Sequence, residues 1–328
     1  MNPLGSMFVL SGEELSLPFA EIRALAGAYS SRSKIELLGK RTAICSISDE
    51  DIVSKISERA AYSRFGGLLV SRSESFMSLP GTLDVKLEGK SFAVDSLSIR
   101  REDYGELGGA IKEKTGASVS LENPDYVFQS ERLGSEYLLA FSTRGRKTQS
   151  WRSRRPRARK FFLPSAIYPK LARALVNLSR AKEGEVFLDP FCGTGSLLIE
   201  SQMMGIHSIG FDLTRWIARG ALINMKQFSL ESSILRADST GTIPLKQVDA
   251  VATDVPYGRA SSTKGRTTQE IIEGFLSSIG GVMPSKAHCV VMHPSSTRAE
   301  SNSFQLVEEH SIYVHRNLTR VISILERK

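Results

Sequence analysis

Glu185-Val-Phe-Leu-Asp189 leads directly into Pro190-Phe-Cys-Gly-Thr-Gly195-Ser196, and Leu197 to Met204 follows. The first run reads as a short buried strand ending in an acid. The second holds two glycines, which let the backbone turn and pass close to a ligand. The third reads as a helix. Strand, glycine loop and helix in that order mark an open α/β sheet, where ligands bind in the crevice outside the carboxyl ends of the strands. The dinucleotide fingerprint needs a third glycine after Gly195, and Leu198 stands in its place. A pyrophosphate cofactor is therefore disfavoured.

Outward from this loop the pattern repeats. His207-Ser-Ile-Gly-Phe211 runs into Asp212, and a helix is expected over Arg215 to Gln227. Ser233-Ile-Leu-Arg-Ala237 runs into Asp238, and the apolar run Val248 to Ala252 leads to Thr253-Asp-Val-Pro-Tyr-Gly258. Four consecutive strands thus end in aspartate, at intervals of 23, 26 and 16 residues. The last interval leaves little room for a helix. One such acid is an ordinary cap. Four on the ligand-binding edge suit a cationic, adenosine-bearing cofactor, and S-adenosylmethionine fits. Asp189 would face its charged amino-acid part, Asp212 would accept from the ribose hydroxyls, and Asp238 from the adenine amino group. A nicotinamide dinucleotide would set its phosphates against the same acids. At the last strand end an acid, a proline and a ring stand together. They suit a planar group carrying an amino nitrogen: Tyr257 stacks, and Asp254 accepts from N–H.

The chain has 328 residues, 41% apolar and 24% charged, an ordinary globular balance with room for two or three domains. No apolar stretch approaches membrane-spanning length, and no signal-peptide pattern opens the chain. Cys45, Cys192 and Cys289 are scattered, without a Cys-x-x-Cys pair, so neither a disulfide framework nor a zinc site is indicated and a cytoplasmic protein is expected. Net charge is +8 and pI about 9.4, which favours a polyanionic partner when the charge is clustered.

It is clustered. Arg144, Arg146, Lys147, Arg152, Arg154, Arg155, Arg157, Arg159 and Lys160 place nine cations in seventeen positions with no acid. A solvated linker is the bland reading. Position favours an RNA-binding strap, because the run joins a half without catalytic residues to the half that has them. Phosphate contacts of this kind make binding steeply salt-dependent. Trp151 offers a stacking face for an unpaired base, or an anchor into the core.

Before the strap, strands and helices alternate. Met1 to Ser6 read as irregular, and Gly5-Ser6-Met7 has the look of a cloning remnant. Phe8-Val-Leu10 reads as a strand, Leu17 to Tyr29 as a helix, Ile35 to Ile47 as a hairpin. A second helix follows, with Ser48 as a plausible N-cap. Leu68-Leu-Val70 reads as a strand. From about Ser73 a second unit is expected, with strands at Ser91 to Arg100, Ser118 to Leu121, Tyr126 to Phe128 and Tyr137 to Phe141, and a helix from Tyr104 to Lys114 closed by Gly116.

Asp189-Pro-Phe-Cys-Gly-Thr-Gly195 with Thr253-Asp-Val-Pro-Tyr-Gly258 resembles class I S-adenosylmethionine-dependent methyltransferases acting on exocyclic amino groups. Phe162-Leu-Pro-Ser165, Leu171-Ala-Arg-Ala-Leu-Val-Asn-Leu178 and His315-Arg-Asn-Leu-Thr-Arg320 narrow the resemblance to archaeal-type tRNA (guanine-10-N2)-methyltransferases. It covers residues 160–328 well. It extends more loosely over 73–143, which look like a THUMP RNA-binding domain preceded by a ferredoxin-like unit. The implied organisation is a ferredoxin-like domain at 1–72, a THUMP domain at 73–143, a basic linker at 144–164 and a Rossmann-like α/β methyltransferase domain at 165–328. The sheet expected there is mostly parallel and seven-stranded, with the last strand antiparallel. The resemblance also implies that Pro164, Ser165, Phe191, Gly193, Thr194, Gly195, Leu213 and Ser239 join Asp189, Asp212, Asp238 and Asp254 around the cofactor. Asp254, Val255, Pro256 and Tyr257 would form the catalytic loop.

Where the family usually has a second proline, this chain has Val255. The residue is asked for a backbone carbonyl, which valine supplies equally, at some expected loss of rigidity. The activity implied is methyl transfer to N2 of a guanosine in tRNA, guanosine-10 first, by a monomer that grips the tRNA acceptor end with its THUMP part. Whether one or two methyl groups are added, and whether a small activator subunit assists, is not written in the sequence. Alternatives are another guanosine (tRNA position 6 or ribosomal RNA), an adenine N6, or a catalytically weak RNA-binding protein on the same scaffold.

Overall fold

Two β-sheets organise the chain, one in each of two units, Met1–Gln149 and Ser150–Lys328, in the computed structural model. The structure describes every residue except 1–2, 15, 101, 144–149, 232 and 258–264.

In the first unit β1 (Gly5–Leu10), α1 (Leu17–Tyr29), β2 (Ile35–Leu38), β3 (Thr42–Cys45), α2 (Glu50–Arg59) and β4 (Ser63–Ser73) follow one another. Their strands lie in the order β2-β3-β1-β4, a split βαβ arrangement. β5 (Ser91–Asp95), α3 (Asp103–Thr115), β6 (Ser118–Val119), β7 (Tyr126–Leu133) and β8 (Glu136–Ser142) continue. β4 pairs antiparallel with β1 on one side and with β8 on the other. One eight-stranded sheet therefore runs through the whole unit, and residues 72 and 73 lie within β4 rather than between two sheets. The start of the chain also differs from the expectation. Gly5 and Ser6 are buried members of β1, and a Cβ on Gly5 would sit 2.4 Å from the Cys45 carbonyl. Asp49 rather than Ser48 caps α2, accepting from the Ile52 amide at 3.0 Å, because its side chain lies three residues before a free helical N–H. Gly116 closes α3 at φ +73°, as the C-cap rule predicts.

The second unit holds α4 (Pro169–Leu178), β9 (Val186–Asp189), α5 (Ser196–Met203), β10 (His207–Phe211), α6 (Arg215–Gln227), β11 (Ser233–Leu235), β12 (Ala250–Asp254), α7 (Thr268–Ile279), β13 (His288–Pro294), β14 (Phe304–His315) and β15 (Leu318–Arg327). The sheet order is β11-β10-β9-β12-β13-β15-β14. Pairs from β11 to β13 are parallel, and β15 runs antiparallel to both its neighbours. Phe187, Leu188, Val251, Ala252, Val290 and Val291 are fully buried, as strands covered on both faces must be. From β9 the chain winds outward to β11, then returns to lay β12 on the other side of β9. That reversal opens a crevice at the carboxyl ends of β9 and β12, where Asp189 and Asp254 stand. Among the described residues the β11–β12 crossover holds no helix. A Thr267/Glu270 capping box starts α7.

Candidate active site

At this crevice lies a cavity of about 460 Å³. The glycine loop lines it with Asp189, Phe191, Gly193 and Thr194, and the end of β10 with Asp212 and Leu213. Asp254, Val255, Pro256 and Tyr257 line it from β12, Pro164 and Ser165 from the segment before α4. Gly193 and Gly195 take φ of +50° and +81°, which side chains resist. Gly195 supports the turn, its N–H bonding Cys192 O at 2.7 Å, but does not line the cavity. Cys192 is a buried packing residue, its thiol pushed up by burial.

The carboxyls differ by their surroundings. Asp189 is 2% exposed and accepts from Thr253 Oγ1 at 2.8 Å and the Phe191 amide at 3.3 Å. Burial pushes it up to about 7 against those bonds, and the charges of Asp254 and Asp212 push the same way. Asp212 accepts from the Thr214 amide at 2.7 Å, and burial raises it too. Burial lifts Asp254 to about 7, with Arg320 opposing. Arg320 Nη2 lies 3.9 Å from Asp254 Oδ2. Asp254 Oδ1 is buried without a hydrogen-bond partner among the described residues, a costly state unless an incoming donor satisfies it. Tyr257 Oη accepts from Arg320 Nε at 2.6 Å, and its hydroxyl is pushed up to about 12, first by burial, then by Asp254.

Besides Gly195, two expected cofactor residues do not line the cavity. Asp238 sits three residues past the end of β11 and does not line the cavity. Burial alone would raise it, but Thr240 and Arg266 together hold it below the usual carboxylate range, and Arg266 Nη2 is 3.1 Å from its Oδ2. Ser239 is buried and donates to Pro190 O at 2.6 Å, bracing the glycine loop. Val255 is 1% exposed. Its amide donates to Met292 O at 3.0 Å, extending the β12–β13 ladder by one rung.

The basic run divides by direction. Arg144, Arg146 and Lys147, like Gly258 of the catalytic loop, lie outside the described residues. Arg152, Arg155, Arg157 and Lys160 are exposed. Arg154 and Arg159 turn inward, and this corrects their expected place on an RNA-facing strap. Arg154 Nε meets Glu200 Oε1 at 2.7 Å, and Arg173 Nε meets Glu200 Oε2 at 2.8 Å. Trp151 lies 5.2 Å from each of these guanidinium groups, so it anchors the segment, the second of its two readings. Arg159 donates to Ser196 Oγ at 2.7 Å and to Arg154 O at 3.0 Å; burial lowers it to about 10. Asn224 completes the brace, bonding Phe161 O at 2.9 Å and Thr194 O at 3.0 Å. Gly220 makes room for it, since a Cβ there would overlap the Phe161 ring at 2.2 Å.

Arg320 had a place in the sequence only as the end of a tail pattern. Antiparallel β15 brings it, with Leu318, to line the cavity beside His315 at the end of β14.

The cavity at this sheet switch point is lined by three aspartates and by Tyr257, and the Asp254 Oδ1 is buried without a partner among the described residues; such a lining suits a cationic ligand and an amine. Residues 156–322 match the family profile described as RMKL-like, methyltransferase domain. A tRNA (guanine(10)-N2)-dimethyltransferase of Methanothermobacter thermautotrophicus is 30% identical over 344 residues, covering 98% of this chain and 99% of that one. The chain belongs to this methyltransferase family. A Methanocaldococcus jannaschii protein of the same description is 28% identical, over 98% and 99% of the two chains. The crystal structure of TrmN from Thermus thermophilus aligns over 98% of this chain and 99% of its own, with TM-score 0.53 and 19% identity, and shares the class I methyltransferase fold. Within that fold, Asp189, Asp212 and Asp254 and the aromatic loop line one cavity in this chain.

Proposed function

We propose that this methyltransferase transfers methyl from S-adenosylmethionine to the exocyclic N2 of a guanosine in tRNA, guanosine-10 in the first place, and that it adds two methyl groups. The relatives' descriptions support the position and the count. The observation that carries the chemistry is Asp254, a lining residue of the cavity that also holds Asp189, whose buried Oδ1 has no hydrogen-bond partner among the described residues.

The residues fit the cofactor. Asp189 and Asp212 are raised by burial, so a nearby cation stabilises them as anions. Asp189 holds the ammonium end and Asp212 the ribose hydroxyls, while Gly193 leaves the backbone bare for close approach. When bound, S-adenosylmethionine supplies an electrophilic methyl on a positively charged sulfur. Asp238, paired with Arg266, is not given the adenine.

The chain's own work is to position the amine. A guanine N2 lone pair is delocalised into its ring and is a poor nucleophile. Asp254 Oδ1 accepts one N–H and the Val255 carbonyl the other, which turns the lone pair toward the methyl carbon. As the N–C bond forms, the methyl's bond to sulfur would break with its electron pair left on a neutral thioether; positive charge grows on N2, and Asp254 stabilises it and takes the proton. Tyr257, held by Arg320, stacks on the base. Alignment of this kind recovers about 7–11 kcal/mol of barrier. A base in a stem must flip out to arrive there, which costs a few kcal/mol. Arg152, Arg155, Arg157 and Lys160 offset that cost through phosphate contacts. The first unit, whose ferredoxin-like and THUMP-like parts share one sheet through β4, is assigned as the part that grips the tRNA. The chain acts as a monomer in the cytoplasm, and no step above calls for a second subunit.

Incubation of unmodified tRNA transcripts with the protein and S-adenosylmethionine, followed by nuclease mapping and mass spectrometry, tests the reading. Dimethylguanosine at position 10 is expected. Methylation at position 6 alone would favour the second reading, supported by a Methanocaldococcus jannaschii tRNA (guanine(6)-N2)-methyltransferase that is 22% identical over 71% of this chain.

A further inference from the structure

A second cavity, of about 430 Å³, opens next to the first. Arg155, Arg157, Pro156, Phe162, Pro164 and Tyr168 are among its walls. Pro164 and Ala166 line both cavities, so the two share a wall. Its volume suits a small organic ligand, and its chemistry is unlike the first. The first is lined by three aspartates beside Arg320, whereas the second has two guanidinium groups and no acid among its lining residues. It also exposes two aromatic rings, Phe162 at 41% and Tyr168 at 64%. Cations with flat apolar faces select a ligand that is planar at one end and anionic at the other.

The walls are held in place. Tyr168 precedes Pro169 at the start of α4. The Arg159 amide bonds Pro156 O at 3.1 Å and the Ala166 amide bonds Leu163 O at 3.0 Å. Behind them Arg154 is fixed on Glu200 and Arg159 on Ser196.

We propose that this cavity binds one unpaired nucleotide of the substrate RNA, a near neighbour of the base that enters the first cavity. The inference rests on the reading of that first cavity as the seat of a flipped base. Flipping removes a base from between its neighbours and leaves their faces unstacked. Phe162 and Tyr168 take the exposed face of one neighbour, and Arg155 and Arg157 take its phosphate. Stacking on aromatic side chains tolerates any base, because every base has a π-face. The pocket therefore holds the distorted strand without reading its sequence. An acidic polypeptide would satisfy the arginines and leave the ring faces unused.

The test places a photocrosslinker in the pocket. Full-length protein carrying Tyr168→p-benzoylphenylalanine is irradiated with an unmodified tRNA transcript, and the crosslinked nucleotide is mapped. A crosslink within two nucleotides of the methylated base is expected. In parallel, Phe162→Ala with Tyr168→Ala should raise KM for tRNA at least fivefold and leave S-adenosylmethionine affinity unchanged, and Tyr168→Phe should restore most of the loss. No RNA crosslink, together with an unchanged KM, would overturn the proposal. So would capture of polyglutamate in preference to tRNA. If no methylation occurs at all, the crosslink still reports on the pocket, and the failure belongs to the proposed reaction. If methylation is normal and the crosslink is missing, the pocket assignment alone has failed.

Discussion

One guanidinium serves two catalytic-loop residues. Arg320 donates from Nε to Tyr257 Oη at 2.6 Å, and its Nη2 lies 3.9 Å from Asp254 Oδ2. It fixes the ring proposed to stack on the base, and it holds down the pKa of the acid proposed to accept from the amine. Burial lifts Asp254 to about 7 and Arg320 opposes the rise. Transfer needs the ionised acid, so the rate should climb as pH passes about 7. Arg320→Met should move that limb to higher pH; a limb displaced by one pH unit means a reaction about tenfold slower on its acid side. Arg320→Lys should keep the limb near its parent position but raise KM for tRNA. A pH profile of kcat that does not move in Arg320→Met would remove this role.

Asp254→Asn should reduce transfer by roughly 10²–10⁴-fold, the range for a positioned acid–base group. Binding of S-adenosylmethionine, measured calorimetrically, should stay near normal. Loss of cofactor binding in that variant would reassign Asp254 to the cofactor.

The exposed and buried arginines should separate in the laboratory. Arg155→Ala with Arg157→Ala should weaken tRNA binding and flatten its dependence on salt. The slope of log affinity against log salt should fall by about one for each phosphate no longer neutralised. Arg154→Ala should instead lower stability by about 3–5 kcal/mol, because it removes one partner from a buried charge cluster. Urea melts and filter binding of the same proteins distinguish the two outcomes.

The two buried acids predict a stability profile. Asp189 and Asp254 sit near 7 in the fold against an ordinary 3.8. The folded state binds their protons more tightly, so their contribution is full below about pH 4 and is lost as pH rises through 7. His288 and His293, depressed by burial, work the other way below about 6.5. The informative comparison is therefore Tm from pH 6.5 to 8 in the ligand-free parent and in Asp189→Asn. The parent should fall more steeply. A saturating cationic cofactor should flatten the parent's slope.

Val255→Ala should cost roughly 1–3 kcal/mol by opening space in the core. Val255→Pro should come out within about 1 kcal/mol of the parent. It forfeits the bond to Met292 O, worth about 0.5–1.5 kcal/mol, and gains about 0.4–1 kcal/mol through a stiffer unfolded chain. Chemical denaturation of both variants checks the balance.

The sheet edge was legible because a buried strand followed by an acid is a local pattern. Asp189, Asp212 and Asp254 reach the cavity as their strand ends require. Asp238 does not, because two residues separate it from β11 and Arg266 claims it. Arg320 was illegible for the opposite reason. Its partner Tyr257 lies 63 positions away, and only the antiparallel insertion of β15 joins them. In the basic run, charge is visible in the sequence but direction is not. The signal for direction lay elsewhere, in Glu200, a lone acid that follows the apolar Leu197-Leu-Ile of α5. A buried acid demands cations, and Arg154 and Arg173 answer it. β13 and α7 had ordinary signals, an apolar run at Cys289 to Met292 and Thr267-x-x-Glu270. Neither carries chemistry, so neither points to the site.

The clasp of Arg154, Arg173 and Trp151 around Glu200 bears on affinity although none of these residues need touch RNA. A loose basic tail surrenders conformational freedom at the moment of association, about 0.5–1.5 kcal/mol for each long side chain immobilised. Here the backbone from 150 to 160 is already fastened during folding. In the proposed complex its outward arginines would meet the phosphates from a backbone already ordered, so on the protein side only their side chains lose freedom.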